Sequence, residues 1–495
     1  METSQLPSSL PTTNFAITEI LNYIGDGLYA PQSGKWISNF HPASGAVYGK
    51  IAESGADDVQ AAFECATNAF PAWSTSTAKS RSDLMLRLAD LMDRDLEILA
   101  AIESYDNGKP LTVARNVDIP RAISNIRFFA TAILHSSTEA HDMDGLALNY
   151  TLRQPIGVVA CISPWNLPLY LFTWKIAPAL AAGNTVIAKP SEITPASAFY
   201  FSKLCIEAGF PAGVLNVLHG TGPSVGSPLV SHAGIKAISF TGGTQTGAAI
   251  AAVAAPKFKK LSLELGGKNA TLVFSDCNFE ETVSETARAA FSNQGQICLC
   301  GSRILIQRSI YDQFKQAFVA KVKALKVGDP QAVDSNIGAI VSEPHLLKVL
   351  SYIELAKSEG GKLLSGGNRI YPEGFENGYY LEPTIFEGLD PFCRTNQEEI
   401  FGPVVTLIPF DTEEEALQFA NCTPYGLASS VWTSNIGTAQ RVASKLQTGI
   451  VWINCWMLRD LRTPFGGVKQ SGVGREGGWE ALRFFTEAKN VCIKS

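Results

Sequence analysis

The chain has 495 residues, too many for one hydrophobic core, so two or three domains are expected. Hydrophobic residues make up 46% and charged residues 17%, and a net charge of −6 with no basic run gives no electrostatic footing for nucleic acid or an anionic membrane. The 10 cysteines are irregularly spaced with no CxxC pair, which argues against a zinc site or a disulfide framework and fits a reducing compartment.

In chain order, residues 1 to about 15 are polar and rich in Pro and Ser, and a loose tail is expected. They show no signal or transit pattern, the C-terminus carries no peroxisomal tripeptide, and runs such as Ile156–Ile162 are too short to span a bilayer. A cytoplasmic protein is the default expectation. From Tyr23 to Ile51, short apolar pieces between Gly, Pro and Asn predict strands and hairpins. Helical spacing follows over Asp57–Trp73 and over Ser80–Tyr105, where leucines form apolar stripes between charged residues.

From about 150 a βα rhythm begins. Ile156–Ile162, Thr185–Ala188, Val214–Leu218, Ala237–Phe240 and Thr271–Phe274 read as buried strands, with helices such as Pro195–Ala208 between several of them. An α/β fold with a doubly wound parallel sheet is expected, and a second alternation from Ala289 to about Trp456 predicts another α/β domain. Two glycine loops could cradle a phosphate. Gly220–Gly226 nearly matches a dinucleotide fingerprint but is one residue too long. Phe240-Thr241-Gly242-Gly243-Thr244 follows an apolar run and opens an Ala-rich helix, with Thr244 as its expected cap.

The chemistry concentrates in two segments. Phe291–Cys298 places a cysteine just past a Gln-Gly-Gln turn, and Leu261–Lys268 offers Glu264 beside two glycines. A thiol nucleophile and a separate carboxylate base suit a covalent reaction that ends in hydrolysis. Cys300 makes a CxC pair with Cys298, but no pattern supports a redox relay, and the histidines fall in no recognisable motif.

Seven segments in order, Pro164–Pro168, Lys189–Glu192, Phe240–Thr244, Leu263–Lys268, Gly295–Cys298, Glu399–Pro403 and Pro464–Gly467, resemble the aldehyde dehydrogenase superfamily, and the likeness runs from about Tyr23 to Phe485. The resemblance implies a Rossmann-like NAD-binding domain at 16–130 and 151–265, a catalytic domain at 266–460, and a small β oligomerisation arm from 131–150 and 480–495. It implies that Cys298 attacks the aldehyde as a thiohemiacetal, that Asn166 and the Cys298 N–H hold the oxyanion, and that Glu264 activates the water that hydrolyses the thioester. NAD is the implied cofactor, with Trp165, Lys189, Ser191, Glu192, Gly222, Gly226, Gly242, Gly243, Glu399 and Phe401 around it. Glu192 would repel a 2′-phosphate and favour NAD over NADP. Gly243 departs from the family pattern, where many members carry serine. CoA-acylating relatives tend to lack a base at the position of Glu264, so its presence favours release of a free acid.

Asp118–Arg121, Cys161–Lys175 and Asn454–Arg462 further resemble the muconic semialdehyde branch, which implies a carboxylated substrate such as 2-aminomuconate 6-semialdehyde. Arg121 and Arg459 match that branch's arginines and would clamp the carboxylate, with Arg462 a third candidate and Trp174 lining the pocket. The competing roles are ion pairs of Arg121 with Asp118 and of Arg459 with Asp460. Alternative substrates are 2-hydroxymuconic semialdehyde, retinal or aliphatic aldehydes, and a non-enzymatic scaffold role is the outlying alternative. No metal site is expected, and a homodimer or homotetramer is.

Overall fold

Two large sheets, two three-stranded sheets and two two-stranded sheets organise residues 17–495, the part of the chain described by the computed structural model. The predicted N-terminal tail lies outside the described residues. The first sheet runs, in order, Gly472–Val473, Lys260–Glu264, Ala237–Thr241, Val158–Ile162, Thr185–Lys189, Leu215–Val217, Asn22–Ile24 and Gly27–Tyr29. Its five central strands are parallel, from Lys260–Glu264 to Leu215–Val217. Val158–Ile162 and Thr185–Lys189 are buried at every position, because helices cover both faces of the sheet. The chain winds one way from Val158–Ile162 through Thr185–Lys189 to Leu215–Val217, then returns to its other side at Ala237–Thr241. This reversal is a topological switch point, the usual seat of a ligand at the carboxyl ends of such strands.

The second sheet runs Lys362–Ser365, Thr384–Glu387, Val404–Phe410, Arg303–Gln307, Ala270–Val273, Ala428–Trp432 and Ile450–Ile453. Thr271–Phe274, expected with the first group of strands, therefore sits inside this sheet. Conversely, Lys260–Glu264 escaped sequence reading although it completes the parallel set. It is short, alternates polar and apolar residues, and pairs outward only with the two-residue strand Gly472–Val473.

The helix predicted over Ser80–Tyr105 is two helices, Ala78–Arg94 and Leu96–Asn107. Asp95 breaks the run, with its carboxylate taken by Arg94 (2.7 Å) and the Tyr200 hydroxyl (2.9 Å). In the three-stranded sheet nearest the C-terminus in sequence, Ala147–Pro155 lies between Ala140–Asp142 and Thr486–Lys494, pairing Thr151 with Asn490. A domain boundary at 150 would cut this middle strand, and one at 480 would cut the helix Gly478–Phe484.

Candidate active site

The parallel strands of the first sheet deliver their carboxyl ends to one edge. Trp165 and Asn166 follow Ile162, Lys189 ends its own strand, the Gly220–Gly226 loop follows Val217, Gly242 and Gly243 follow Thr241, and Glu264 closes the fifth strand. The second sheet answers with amino ends: Gly266–Lys268 precede Ala270–Val273, Cys298 precedes Arg303–Gln307, and Glu399–Phe401 precede Val404–Phe410.

Cys298 is half-buried beside a small cavity that Glu399, Phe401, Gly267 and Cys300 also line. Its loop takes three left-handed residues in succession, Asn293 (φ 51°), Gln294 (φ 58°) and Gly295 (φ 69°). A Cβ on Gly295 would lie 2.3 Å from the Gly402 carbonyl oxygen, so only glycine fits there. The loop is pinned from both sides. Asn166 Nδ2 donates to Gln296 O (2.9 Å), and Asn269 Nδ2 donates to Cys298 O (2.6 Å) and Cys300 O (3.0 Å). The Cys298 N–H has no hydrogen-bond partner among the described residues and is free for an oxyanion. Burial pushes the thiol up, and Glu399 and Glu264 add to the rise while Arg459 opposes it, so the surroundings favour the thiol over the thiolate.

Glu264 is buried with neither carboxyl oxygen hydrogen-bonded. A Cβ on Gly466 (φ 152°) would lie 2.6 Å from Glu264 Oε1, so a side chain there would displace the carboxyl. Burial raises this carboxyl well above its ordinary range and Glu476 adds to the rise, while Lys175, Arg475 and Arg459 oppose it. A carboxylate so raised is a stronger base when ionised. Lys175 and Glu476 form a buried pair at 2.7 Å, and Ser239 Oγ bonds to both.

On the cofactor side, Lys189 is buried and pairs with Glu192 (3.0 Å), while Ser191 Oγ accepts from the Ile193 N–H (3.2 Å). Gly226 lies against Lys189, and Gly222 opens the adjoining turn with empty space on its side-chain face. Gly243, not Thr244, is the N-cap of the helix Thr244–Ala254. Thr244 stands inside the first turn with its hydroxyl directed to Gln470 O, so no side chain caps the helix. Space is open at Gly243 as well. Gly242 differs: its N–H donates to Glu264 O (3.0 Å) and the Phe240 ring fills its side-chain face, so packing requires glycine there. Glu399 accepts from the Gly267 N–H (2.8 Å). Phe401 (φ 61°) meets Trp165 edge to face at 5.2 Å, and His345 Nε2 donates to Phe401 O (2.7 Å). An uncapped helix N-terminus, a buried lysine with a carboxylate three residues on, and an aromatic pair near the thiol fit a dinucleotide.

On the remaining side, Arg121 and Arg459 share the Tyr170–Trp174 face of the helix Pro168–Ala181. The Arg121 guanidinium lies 5.5 Å from the Tyr170 ring centre and 5.9 Å from that of Trp174. Arg459 donates to the Tyr170 hydroxyl (2.8 Å), lies 5.5 Å from the Trp174 ring centre, and stacks on Phe465 at 3.9 Å. Neither competing ion pair forms. Asp118 pairs with Lys109, and Asp460 pairs with Arg462 (2.6 Å). Arg121 Nε and Nη2 are buried without a partner. Burial lowers this guanidinium from its ordinary value and Arg459 adds to the fall, with Tyr170 and Asp460 opposing. Arg462 leaves the candidate site: its side chain is 80% exposed and tied to Asp460. Sequence reading missed Tyr170, His345, Asn293 and Lys109. Each is a lone polar or aromatic residue with a partner far off in sequence, Arg459 for Tyr170, Phe401 for His345, and Asn166 for both Asn293 and Lys109.

Residues 29–491 match the model of the aldehyde dehydrogenase family. A 2-aminomuconic semialdehyde dehydrogenase from Bos taurus is 50% identical over 477 residues, covering 96% of this chain and 98% of the relative. A 2-hydroxymuconic semialdehyde dehydrogenase from Pseudomonas sp. (strain CF600) is 44% identical over 483 residues, covering 96% and 99%. Among solved structures, an indole-3-acetaldehyde dehydrogenase from P. syringae in complex with NAD+ superposes with a TM-score of 0.94 at 40% identity, covering 97% of each chain.

Proposed function

Because the chain belongs to the aldehyde dehydrogenase family, we propose that it oxidises a carboxylated semialdehyde of the muconate type, such as 2-aminomuconate 6-semialdehyde, to the free acid with NAD. The observation that carries this reading is Arg121. Two buried guanidinium donors without partners are expensive to maintain, and a carboxylate is the planar acceptor that fits them. Arg459 adjoins Arg121, and its charge also reaches Cys298 and Glu264. A substrate with its carboxylate on the arginines would present its aldehyde end to the sulfur. An uncharged aldehyde leaves the Arg121 donors unpaired.

The chain's own groups supply the remaining steps. The Cys298 thiol gives its proton to solvent water in the adjoining cavity as sulfur attacks the aldehyde carbon, and the Asn166 amide and the Cys298 N–H take the oxyanion. Lys189, Glu192 and the Gly243 helix end would hold the adenine side and phosphates of NAD, and Glu399 its nicotinamide ribose. NAD held by these residues would supply the hydride acceptor. Glu264 then takes a proton from the water that cleaves the Cys298 thioester. Among the described residues no helix is long and apolar enough to cross a membrane. All 10 cysteines are unpaired, which supports a reducing, cytosolic setting. The exposed outer strand Thr486–Lys494 and the exposed Leu146, Leu148 and Ile493 support a homodimer or homotetramer.

The reading is tested by comparing kcat/KM for 2-hydroxymuconic semialdehyde with that for an uncharged aldehyde of similar length. In Arg121→Met and Arg459→Met the preference is expected to fall by about 10–100-fold, the worth of a charge-assisted hydrogen bond. An unchanged preference would overturn it.

A further inference from the structure

We propose that Lys109, which takes no part in the chemistry above, is a positioning residue that sets the Asn166 amide through the main chain. The proposal rests on the oxyanion role given to Asn166.

Lys109 is fully buried. Its ammonium donates to the Asp118 carboxylate and to the Asn166 carbonyl oxygen (3.1 Å), with Glu103 at 3.7 Å. A structural ion pair needs only the two carboxylates. The bond to Asn166 O ties the pair to the residue whose side chain meets the nucleophile loop. Asn293 Nδ2 donates to the same carbonyl (3.0 Å) and makes a longer bond to Gln296 O (3.4 Å). Asn166 Nδ2 donates to Gln296 O as well, so the ring from Lys109 through Asn166 O, Asn293 and Gln296 returns to the Asn166 side chain.

The preceding peptide is held from the same place. Asn107 Nδ2 donates to Trp165 O (2.9 Å), and Thr194 Oγ1 donates to it too (3.1 Å). Asn107 and Lys109 flank Gly108 (φ 84°), whose side-chain face is closed by Pro42 and Ala339. The end of the helix Leu96–Asn107 therefore grips two consecutive carbonyls of the Trp165–Asn166 segment. Glu103 accepts from the Leu169 N–H (3.1 Å) and anchors the following helix to the same cluster. With these contacts in place Asn166 has little freedom to tilt, and an oxyanion donor misplaced by about 1 Å can cost 10²-fold in rate.

The test is a double-mutant cycle on the rate of the first NADH formed per site, with 2-hydroxymuconic semialdehyde as substrate. Asn166→Ala is expected to lower that rate by about 10²–10³-fold. Lys109→Met is expected to lower it by about 10²-fold without raising KM for the aldehyde. In the Asn166→Ala background the same substitution is expected to change the rate by less than about threefold. Equal losses in both backgrounds, or no loss in the single variant, would overturn the proposal. Full activity in Asn166→Ala would remove the oxyanion reading itself and this proposal with it. Should Lys109→Met fail to fold, Lys109→Met/Asp118→Asn removes both charges of the pair and is read against the same expectations.

Discussion

Lys109 and Arg121 are cations on neighbouring segments, yet they are provisioned in opposite ways. Lys109 has a carboxylate, a second carboxylate near by and a carbonyl within reach, all inside the protein. Arg121 has two aromatic rings, another arginine and two buried donors with nothing to bond. A cation whose partners are all internal holds the fold in one geometry. A cation left with buried, unpartnered donors holds nothing in place and has hydrogen bonds to offer a ligand. The same contrast separates Lys175, paired with Glu476, from Arg459, which reaches only a hydroxyl and two rings.

Substitution should separate the two kinds. Lys109→Met strands a buried carboxylate and is expected to destabilise the protein by about 3–5 kcal/mol in urea unfolding, with Asp118→Asn recovering part of the loss. Arg121→Met should move stability little or raise it, because a desolvated, unpaired guanidinium is removed, while carboxylate selectivity falls. A large stability loss in Arg121→Met with selectivity kept would reverse the comparison.

A third expectation concerns Glu264, a buried carboxyl without a partner. Its raised pKa means that the proton is held to higher pH than an ordinary carboxyl holds it. Hydrolysis of the thioester needs the ionised form, so kcat should rise with pH through a range above that of ordinary carboxylates, and Glu264→Gln should lose that limb. The sign for stability is opposite: with the folded pKa above the unfolded one, the contribution is present at low pH and fades as pH rises through the folded value. Glu264→Gln should flatten that decline. Smallest of all, Arg462→Ala should leave selectivity and melting temperature unchanged, since its partner Asp460 and its own head group are solvated.

The first sheet was readable because its strands are apolar runs and the residues after them are Gly, Pro and Asn, which mark turns at strand ends. Cys298, Glu264 and Asn166 were singled out as members of ordered motifs, and the fold brings them to the facing ends of the two large sheets. The left-handed backbone at Asn293, Gln294 and Phe401 was not, because no glycine announces it. Glu264's own strand was missed because polar residues alternate along it. The role of Thr244 was misread because a Gly-Gly-Thr run does not reveal which residue is the cap. The contrast between Lys109 and Arg121 was illegible because Asp118 lies within reach of both in sequence, and only the packed chain decides which cation takes it.

The most direct measurement is mass spectrometry of Glu264→Gln after long incubation with NAD and 2-hydroxymuconic semialdehyde, followed by acid quench and digestion. The expected result is an added acyl mass on the peptide that carries Cys298, absent from Cys298→Ala and absent without NAD. NADH formation with no adduct, or an adduct that persists in Cys298→Ala, would contradict covalent oxidation at this sulfur.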